Sequence, residues 1–334
     1  MTYEKQPGVP RFEAQEYGAK SKDFVLLIPI INEGNRIHQE LRRAQEHHVA
    51  DHVDIVICDG GSQDGSTAEE ALKALDVNTL LVKQDEGKQG AQLRMGIWWA
   101  MQRGYQGVIT IDGNNKDSIE DVPRFIEKLR EGYDFVQGSR FVPGGVAINT
   151  PLLRTISVKL IHAPLISLAA GFRFTDTTNA YRAYSMEYLT DERVQPLRGV
   201  FRTYELLAYL SVRATQLGMR ACEIPVTRAY PKTGKTPTKI RGAMGTAQAK
   251  EPVTGQPTSM TSRLRLNFST RPVEIGPMYL ANRSITIKVP MNPQPTVTDA
   301  LRSCFRGTRT IRPMMKTKMG IIHAAPRFCI KVMT

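Results

Sequence analysis

Four short apolar runs, at residues 24–31, 53–58, 79–82 and 108–111, recur along the first third of this chain. Each is too short for a core helix and nearly continuous in Val, Ile and Leu, the pattern of strands buried on both faces. The stretches between them, 33–48, 66–75 and 87–102, read as amphipathic helices, the last with Leu93, Ile97, Trp98 and Met101 at helical spacing. Strands alternating with amphipathic helices predict an α/β fold with a mainly parallel central sheet flanked by helices. Such a sheet places ligands outside the carboxyl ends of its strands.

Further on, the spacing predicts a helix over 119–130, whose apolar side is Ile119, Val122, Phe125, Ile126 and Leu129, and a strand over 134–138. Helices are expected over 152–170 and about 204–217, and a strand over 222–227. We divide the chain into an N-terminal extension, 1–23, a catalytic-sized domain, 24–245, and a basic, Pro-rich extension, 246–334, partly disordered or loosely packed. In that last segment Ile285, Ile287 and Val289 alternate well enough for one strand.

Charge follows the same division. The 334 residues carry a net +13, but residues 251–334 hold 13 basic and 3 acidic residues, leaving only +3 for the rest. The tail is therefore suited to peripheral contact with an anionic membrane, and it does not assign an activity to the body. Nucleic acid is not an expected partner, because the basic residues lack the aromatic interleaving of a base-stacking surface. Cys58, Cys222, Cys304 and Cys329 form no metal-ligand spacing, which fits a reducing compartment and argues against structural zinc. Residues 1–23 contain no apolar signal segment. The most apolar stretch, 152–172, is interrupted by Arg154, Lys159, His162 and Pro164. It is expected to be a core helix or a membrane-edge contact, divided at Pro164, rather than a span. A cytoplasmic protein, at most touching the cytoplasmic membrane face, is the resulting expectation.

Polar loops fall where the strands end. Asp59-Gly60-Gly61-Ser62-Gln63-Asp64-Gly65-Ser66-Thr67 follows the second run, and it reads either as a ligand loop or as an Asp/Gly turn entering the next helix. Asp112-Gly113-Asn114-Asn115-Lys116-Asp117 follows the fourth and offers hard oxygen ligands suited to Mg2+ or Mn2+, or else an Asx-rich turn capped by Asp117 or Ser118. Gly87-Lys88 opens the third helix. Neither a Gly-x-Gly-x-x-Gly nor a Walker A sequence is present, so dinucleotide oxidoreduction and P-loop hydrolysis lose their usual support.

In order and spacing these segments resemble the family 2 glycosyltransferases of GT-A fold, especially the dolichyl and polyprenyl phosphate sugar synthases. The opening motif appears as Pro29-Ile30-Ile31-Asn32-Glu33, the acidic loop as residues 58–67 with one additional residue, and a GK-x-x-A segment as Gly87-Lys88-Gln89-Gly90-Ala91. Asp112-Gly113-Asn114 stands at the D-x-D metal motif, with Asn114 in place of the second carboxylate. Gly138-Ser139-Arg140-Phe141, Thr177 to Arg182, and Arg228-Ala229-Tyr230 through Lys239 are similar to later segments of that group.

The resemblance implies a nucleotide-diphospho-sugar donor lined by Pro29, Asn32 and Glu33, with Asp59 meeting the base, Asp64 supporting its loop and Lys88 near the phosphates. It implies Asp112 and Asn114 as metal ligands, and Arg140 and Arg154, with Ser157 on the same helical face, as partners of a polyprenyl phosphate. That acceptor is already an anionic nucleophile, so inverting hexosyl transfer needs alignment more than a strong base. Two alternatives stand beside it: transfer to a soluble hydroxyl acceptor, which needs a base near the nucleophile, and a nucleotide-sugar binding protein without turnover. Glu205 is read as structural or substrate-orienting, His162 as a helix-surface or satisfied core residue, and Lys232, Lys235, Lys239 and Arg241 as a basic segment at the edge of the site.

Overall fold

A computed structural model describes residues 6–231, together with the backbone of three short strands outside that span, Thr2–Tyr3 (β1), Met278–Leu280 and Arg283–Ile285. Met1–Met244 forms one unit and Gly245–Thr334 a second. In the second unit, Met278–Leu280 and Arg283–Ile285 pair antiparallel. The expectations for Ile287 and Val289, and for the basic residues 232–241, fall outside the described residues.

In the first unit, strand structure begins earlier than the apolar runs suggest. Phe12–Glu16 (β2) alternates buried Phe12 and Ala14 with exposed Glu13 and Gln15, the period of a strand with one wet face. It lies antiparallel to Val77–Lys83 (β5). The stretch 1–23 thus contributes two strands, β1 and β2, to the sheet and is not wholly an extension outside it.

Phe24–Ile30 (β3), Val53–Asp59 (β4), β5 and Gly107–Thr110 (β6) form the expected parallel core. The intervening helices are Asn35–Glu46 (α1), Glu69–Ala74 (α2) and Gln89–Gln102 (α3). Beyond β6 come Val122–Arg130 (α4), Phe135–Ser139 (β7), Val146–Ile148 (β8), Leu152–Ser157 (α5) and Ala163–Ala170 (α6). The unit closes with Arg182–Ser185 (β9), Met186–Thr190 (α7), Glu205–Gln216 (α8), Ala221–Pro225 (β10) and Thr227–Ala229 (β11).

The nine-stranded sheet runs β1-β2-β5-β4-β3-β6-β9-β7-β10. β9, which the sequence reading passed over, is inserted antiparallel between β6 and β7, and β10 pairs parallel with β7. The sheet is therefore parallel at its centre and mixed toward both edges. Because successive strand residues face opposite sides, Val25 and Leu27 join one apolar cluster with Leu93, Trp99 and Leu206. Leu26 and Ile28 join another with Ile37, Leu41, Val122 and Phe125. Each fully buried Leu or Ile contributes about 1.5–3 kcal/mol relative to exposure, so the two helix layers fix the sheet from both faces.

One helix departs from expectation. Leu152 to Ala170 is continuous, passing through a π turn at Val158–His162, and is long and apolar enough to cross a membrane by length and composition. Pro164 does not divide it, standing directly after the π turn at the start of the last α-helical segment. Nor is it a core helix, since Leu152, Leu153, Leu160 and Leu168 are 75%, 79%, 72% and 82% exposed.

Candidate active site

The carboxyl ends of β3, β4, β6 and β7 open on one edge of the sheet, and the loops that follow them carry nearly all the residues singled out from sequence. Antiparallel β9 brings its amino end, with Thr177 to Asn179, to the same edge.

At the first loops, Asn32 and residues 59–64 interlock. The Asn32 amide donates to Ser62 Oγ (2.9 Å), and the Gln63 amide donates to Asn32 Oδ1 (2.9 Å). Asn32 holds φ 49°, a conformation Asn tolerates better than most side chains. Pro29 is a strand residue in register with Cys58. Glu33 accepts from Arg36 (2.7 Å). Asp59 is buried and turned on its own loop, accepting from the Gly61 and Ser62 amides (2.8 and 2.9 Å) and from the Ser62 hydroxyl. These bonds form an Asx turn that shapes the loop. Asp64 is exposed, and the Ser66 hydroxyl holds its carboxyl below the usual range.

Helix α3 links these loops to the Asp112 loop. Gln92 Nε2 donates to the carbonyls of Ile30 and Cys58 (2.6 and 2.7 Å), tying the ends of β3 and β4. Three residues earlier, Gln89 Nε2 donates to Asp112 Oδ1 (2.8 Å). Glycine permits close packing at two points here: a Cβ on Gly90 would lie 2.5 Å from the Thr203 carbonyl oxygen, and one on Gly113 2.4 Å from Ile30 Cγ2. Lys88 is exposed at the start of α3.

Asp112, part-exposed, accepts at Oδ2 from Arg228 Nη2 (3.2 Å) and weakly from Asn114 Nδ2 (3.4 Å). Arg228, only 5% exposed, also pairs through Nη1 with the fully buried Asp117 and reaches Asn179 Oδ1 (3.2 Å). Asp117 is consequently no helix cap. Burial pushes its carboxyl up, against the lowering pull of Arg228. The same two carboxylates hold the Arg228 guanidinium firmly protonated despite its burial. The oxygens Asn114 Oδ1 and Gln89 Oε1 are buried without a partner among the described residues. Beside Asp112 they make a set of hard oxygen donors that fits a divalent ion of the Mg2+ or Mn2+ kind, although no group of three His, Cys, Asp or Glu among the described residues could hold one.

Glu40, on α1, was not visible as a site residue. Fully buried, it accepts from the Asn115 amide (2.7 Å), while Arg43 one turn later donates to Asn115 Oδ1 (3.0 Å). Burial raises its carboxyl well above the usual 4.5, and Asp117 and Asp112 add to the rise. The folded protein therefore binds a proton there that the unfolded chain releases. Stability from this group is present below pH 4.5 and is lost as pH rises toward the higher folded value. Glu40→Gln keeps an acceptor for Asn115 and has nothing to titrate. In thermal melts taken across pH, the variant should lack the part of the decline in stability above pH 4.5 that Glu40 causes.

Arg140 is corrected most clearly. It is 3% exposed and spends Nε and Nη2 on Asp176 (2.6 and 2.9 Å), with Nη2 also reaching Thr178 (3.0 Å). Burial alone would raise Asp176, but the guanidinium outweighs it and holds the carboxyl below its ordinary range. Only Nη1 is left without a partner, so the residue first serves to lock residues 176–178 under the site. Arg154 does reach the site edge, half-buried with its guanidinium 5.7 Å from the Tyr230 ring, while Ser157 is exposed. Glu205 accepts from the Thr203 amide and hydroxyl (2.7 and 2.8 Å), the structural role expected of it. His162 meets the Thr177 hydroxyl at 2.6 Å.

Residues 25–191 match the family model described as Glycosyl transferase family 2. The chain is 29% identical over 206 residues to the polyprenol monophosphomannose synthase of Mycolicibacterium smegmatis, covering 61% of this chain and 76% of that one. It is 29% identical over 214 residues to the undecaprenyl-phosphate mannosyltransferase of Micrococcus luteus, covering 63% and 85%. Among solved structures, a glucosyl-3-phosphoglycerate synthase from Mycobacterium tuberculosis aligns with a TM-score of 0.46 at 15% identity, covering 62% of this chain and 72% of that one.

Proposed function

Given that the chain belongs to glycosyl transferase family 2, with a GT-A-like sheet and a nucleotide-sugar-dependent transfer reaction, we propose that it is a metal-dependent hexosyltransferase moving sugar, with inversion, from a UDP- or GDP-linked donor to a polyprenyl phosphate. The observation that carries the acceptor is a juxtaposition. Arg154, a cation at the site edge, belongs to the same helix that presents Leu152, Leu153, Leu160 and Leu168 to solvent. A phosphate with an apolar tail would meet the arginine at one end and the leucines along its length. The names of the two bacterial relatives support the same acceptor class.

In this reading Asn32 and the 59–64 loop border the nucleotide, with Lys88 near its phosphates, and Asp112 with Asn114 holds the divalent ion. When bound, the ion draws charge from the departing diphosphate. Gln89 and Arg228 fix the Asp112 carboxylate so that it needs no reorientation during transfer. The acceptor phosphate is an anionic nucleophile, and the cationic edge aligns it for single displacement at the anomeric carbon. The exposed helix lies on the cytoplasmic membrane face as a peripheral contact, its leucines entering the interface.

A soluble acceptor is the second reading, favoured by the fact that the edge cations recognise a phosphate whatever carries it. Incubating a panel of nucleotide sugars, with Mg2+ or Mn2+, against polyprenyl phosphate and soluble acceptors, followed by product mass measurement, tests both. Products on the lipid phosphate are expected, and exclusive transfer to a soluble hydroxyl overturns the lipid reading. Binding of nucleotide sugar with no product on any acceptor would mark a non-catalytic binder. Independently, the double variant L160E/L168E should lose at least about ten-fold in binding to anionic vesicles, yet melt close to wild type because both side chains are exposed. Unchanged cosedimentation would remove the helix from the membrane.

A further inference from the structure

We propose that Lys116 is a phosphate-binding lysine of the transfer site, a fixed positive charge beside Asp112 that grips a phosphate group without help from a divalent ion. The inference rests on the glycosyl-transfer reading above and concerns a residue given no defined role in it.

Lys116 lies four residues after Asp112 in the same loop, and its main chain is pinned, its carbonyl accepting from the Ala229 amide at 2.7 Å. The side chain is 8% exposed. Among the described residues its ammonium has no hydrogen bond and no ion pair. What it faces is the ring of Tyr230, at 5.2 Å. Arg154 and Arg228 approach the same ring at 5.7 and 5.8 Å, and the Tyr230 hydroxyl is buried without a partner among the described residues.

The charges here do not balance. Asp112 and Asp117 are both turned on Arg228, so Lys116 and Arg154 have no carboxylate of their own among the described residues. Taking an ammonium out of water is costly, and the face of one tyrosine recovers only part of the cost. Two uncompensated cations and an unsatisfied phenol around one ring offer what a phosphate dianion needs: a point charge, a planar fork and a hydroxyl donor. The phosphate belongs either to the donor diphosphate, next to Asp112, or to the acceptor, next to Arg154. Its chemistry is the same in both.

The test measures binding by calorimetry, in EDTA, of UDP, GDP and farnesyl monophosphate to the full chain and to Lys116→Met and Lys116→Arg. Lys116→Met should weaken at least one of these ligands by about 10- to 100-fold, the range of a hydrogen bond to a charged group, while Lys116→Arg retains most of the affinity. Loss on the nucleotides assigns the lysine to the donor, and loss on farnesyl phosphate to the acceptor. Without ligand, Lys116→Met should melt close to the wild-type temperature, since the ammonium makes no hydrogen bond or ion pair among the described residues. Unchanged affinity for all three ligands overturns the proposal. Wild type that binds nucleotide only with Mg2+ or Mn2+ and binds farnesyl phosphate not at all overturns it too, and leaves the transfer reading standing. Wild type that binds no nucleotide under any condition removes both.

Discussion

Asp112→Ala should cut sugar-transfer turnover by about 10²–10³-fold and leave the fold intact. The rate loss follows from the charge that develops on the leaving diphosphate: a coordinated cation stabilises it by several kcal/mol, and each 1.36 kcal/mol is tenfold in rate. The fold survives because Arg228 has two carboxylate partners. Removing Asp112 leaves the buried guanidinium still neutralised by Asp117. Steady-state rates across a Mg2+ or Mn2+ titration, with a thermal melt alongside, check both halves. Unchanged turnover would contradict the role of Asp112 outright.

Arg228→Met should have the opposite profile, a loss of stability rather than of rate alone. The substitution strands Asp117, which is fully buried with Oδ1 already unpartnered. Breaking a buried pair from one side costs about 3–5 kcal/mol, which for a domain of this size lowers the melting temperature by roughly 6–20 °C. Replacing Asp117 by Asn in the same chain removes the stranded charge and should recover a large part of the loss. A double variant no more stable than Arg228→Met would show that the guanidinium stabilises through Asn179 or packing instead.

The contrast between these two residues explains what the sequence could disclose. Asp112 stands at the end of a nearly continuous apolar strand, so its position at the ligand edge was legible from pattern alone. Arg228 stood in view as part of a basic segment, but its partners are 111 and 116 residues away, and no local signal points to them. Arg140 was misassigned for the same reason: an arginine in a Gly-rich loop looks available for phosphate until Asp176 is folded beneath it. Glu40 was hidden by its surroundings, since one more carboxylate on a charged helix reads as a solvated face. β9 escaped because Arg182-Ala183-Tyr184-Ser185 is not an apolar run. It is nonetheless buried, its arginine satisfied by the carbonyls of Thr177, Asn179 and Leu207. β2 escaped because two buried residues alternating with charge are too short a pattern to stand out.

The long separation between Asp112 and Arg228 also orders events during synthesis. At roughly 5–20 residues per second, the 116 residues between them take about 6–23 s to appear. For that interval the strands β3 to β6 can pair with one another, while Asp112 and Asp117 lack the arginine they are paired with in the fold. The Asp112 loop must therefore stay hydrated on the nascent chain, and it closes only when β11 is laid beside β8 and delivers the arginine.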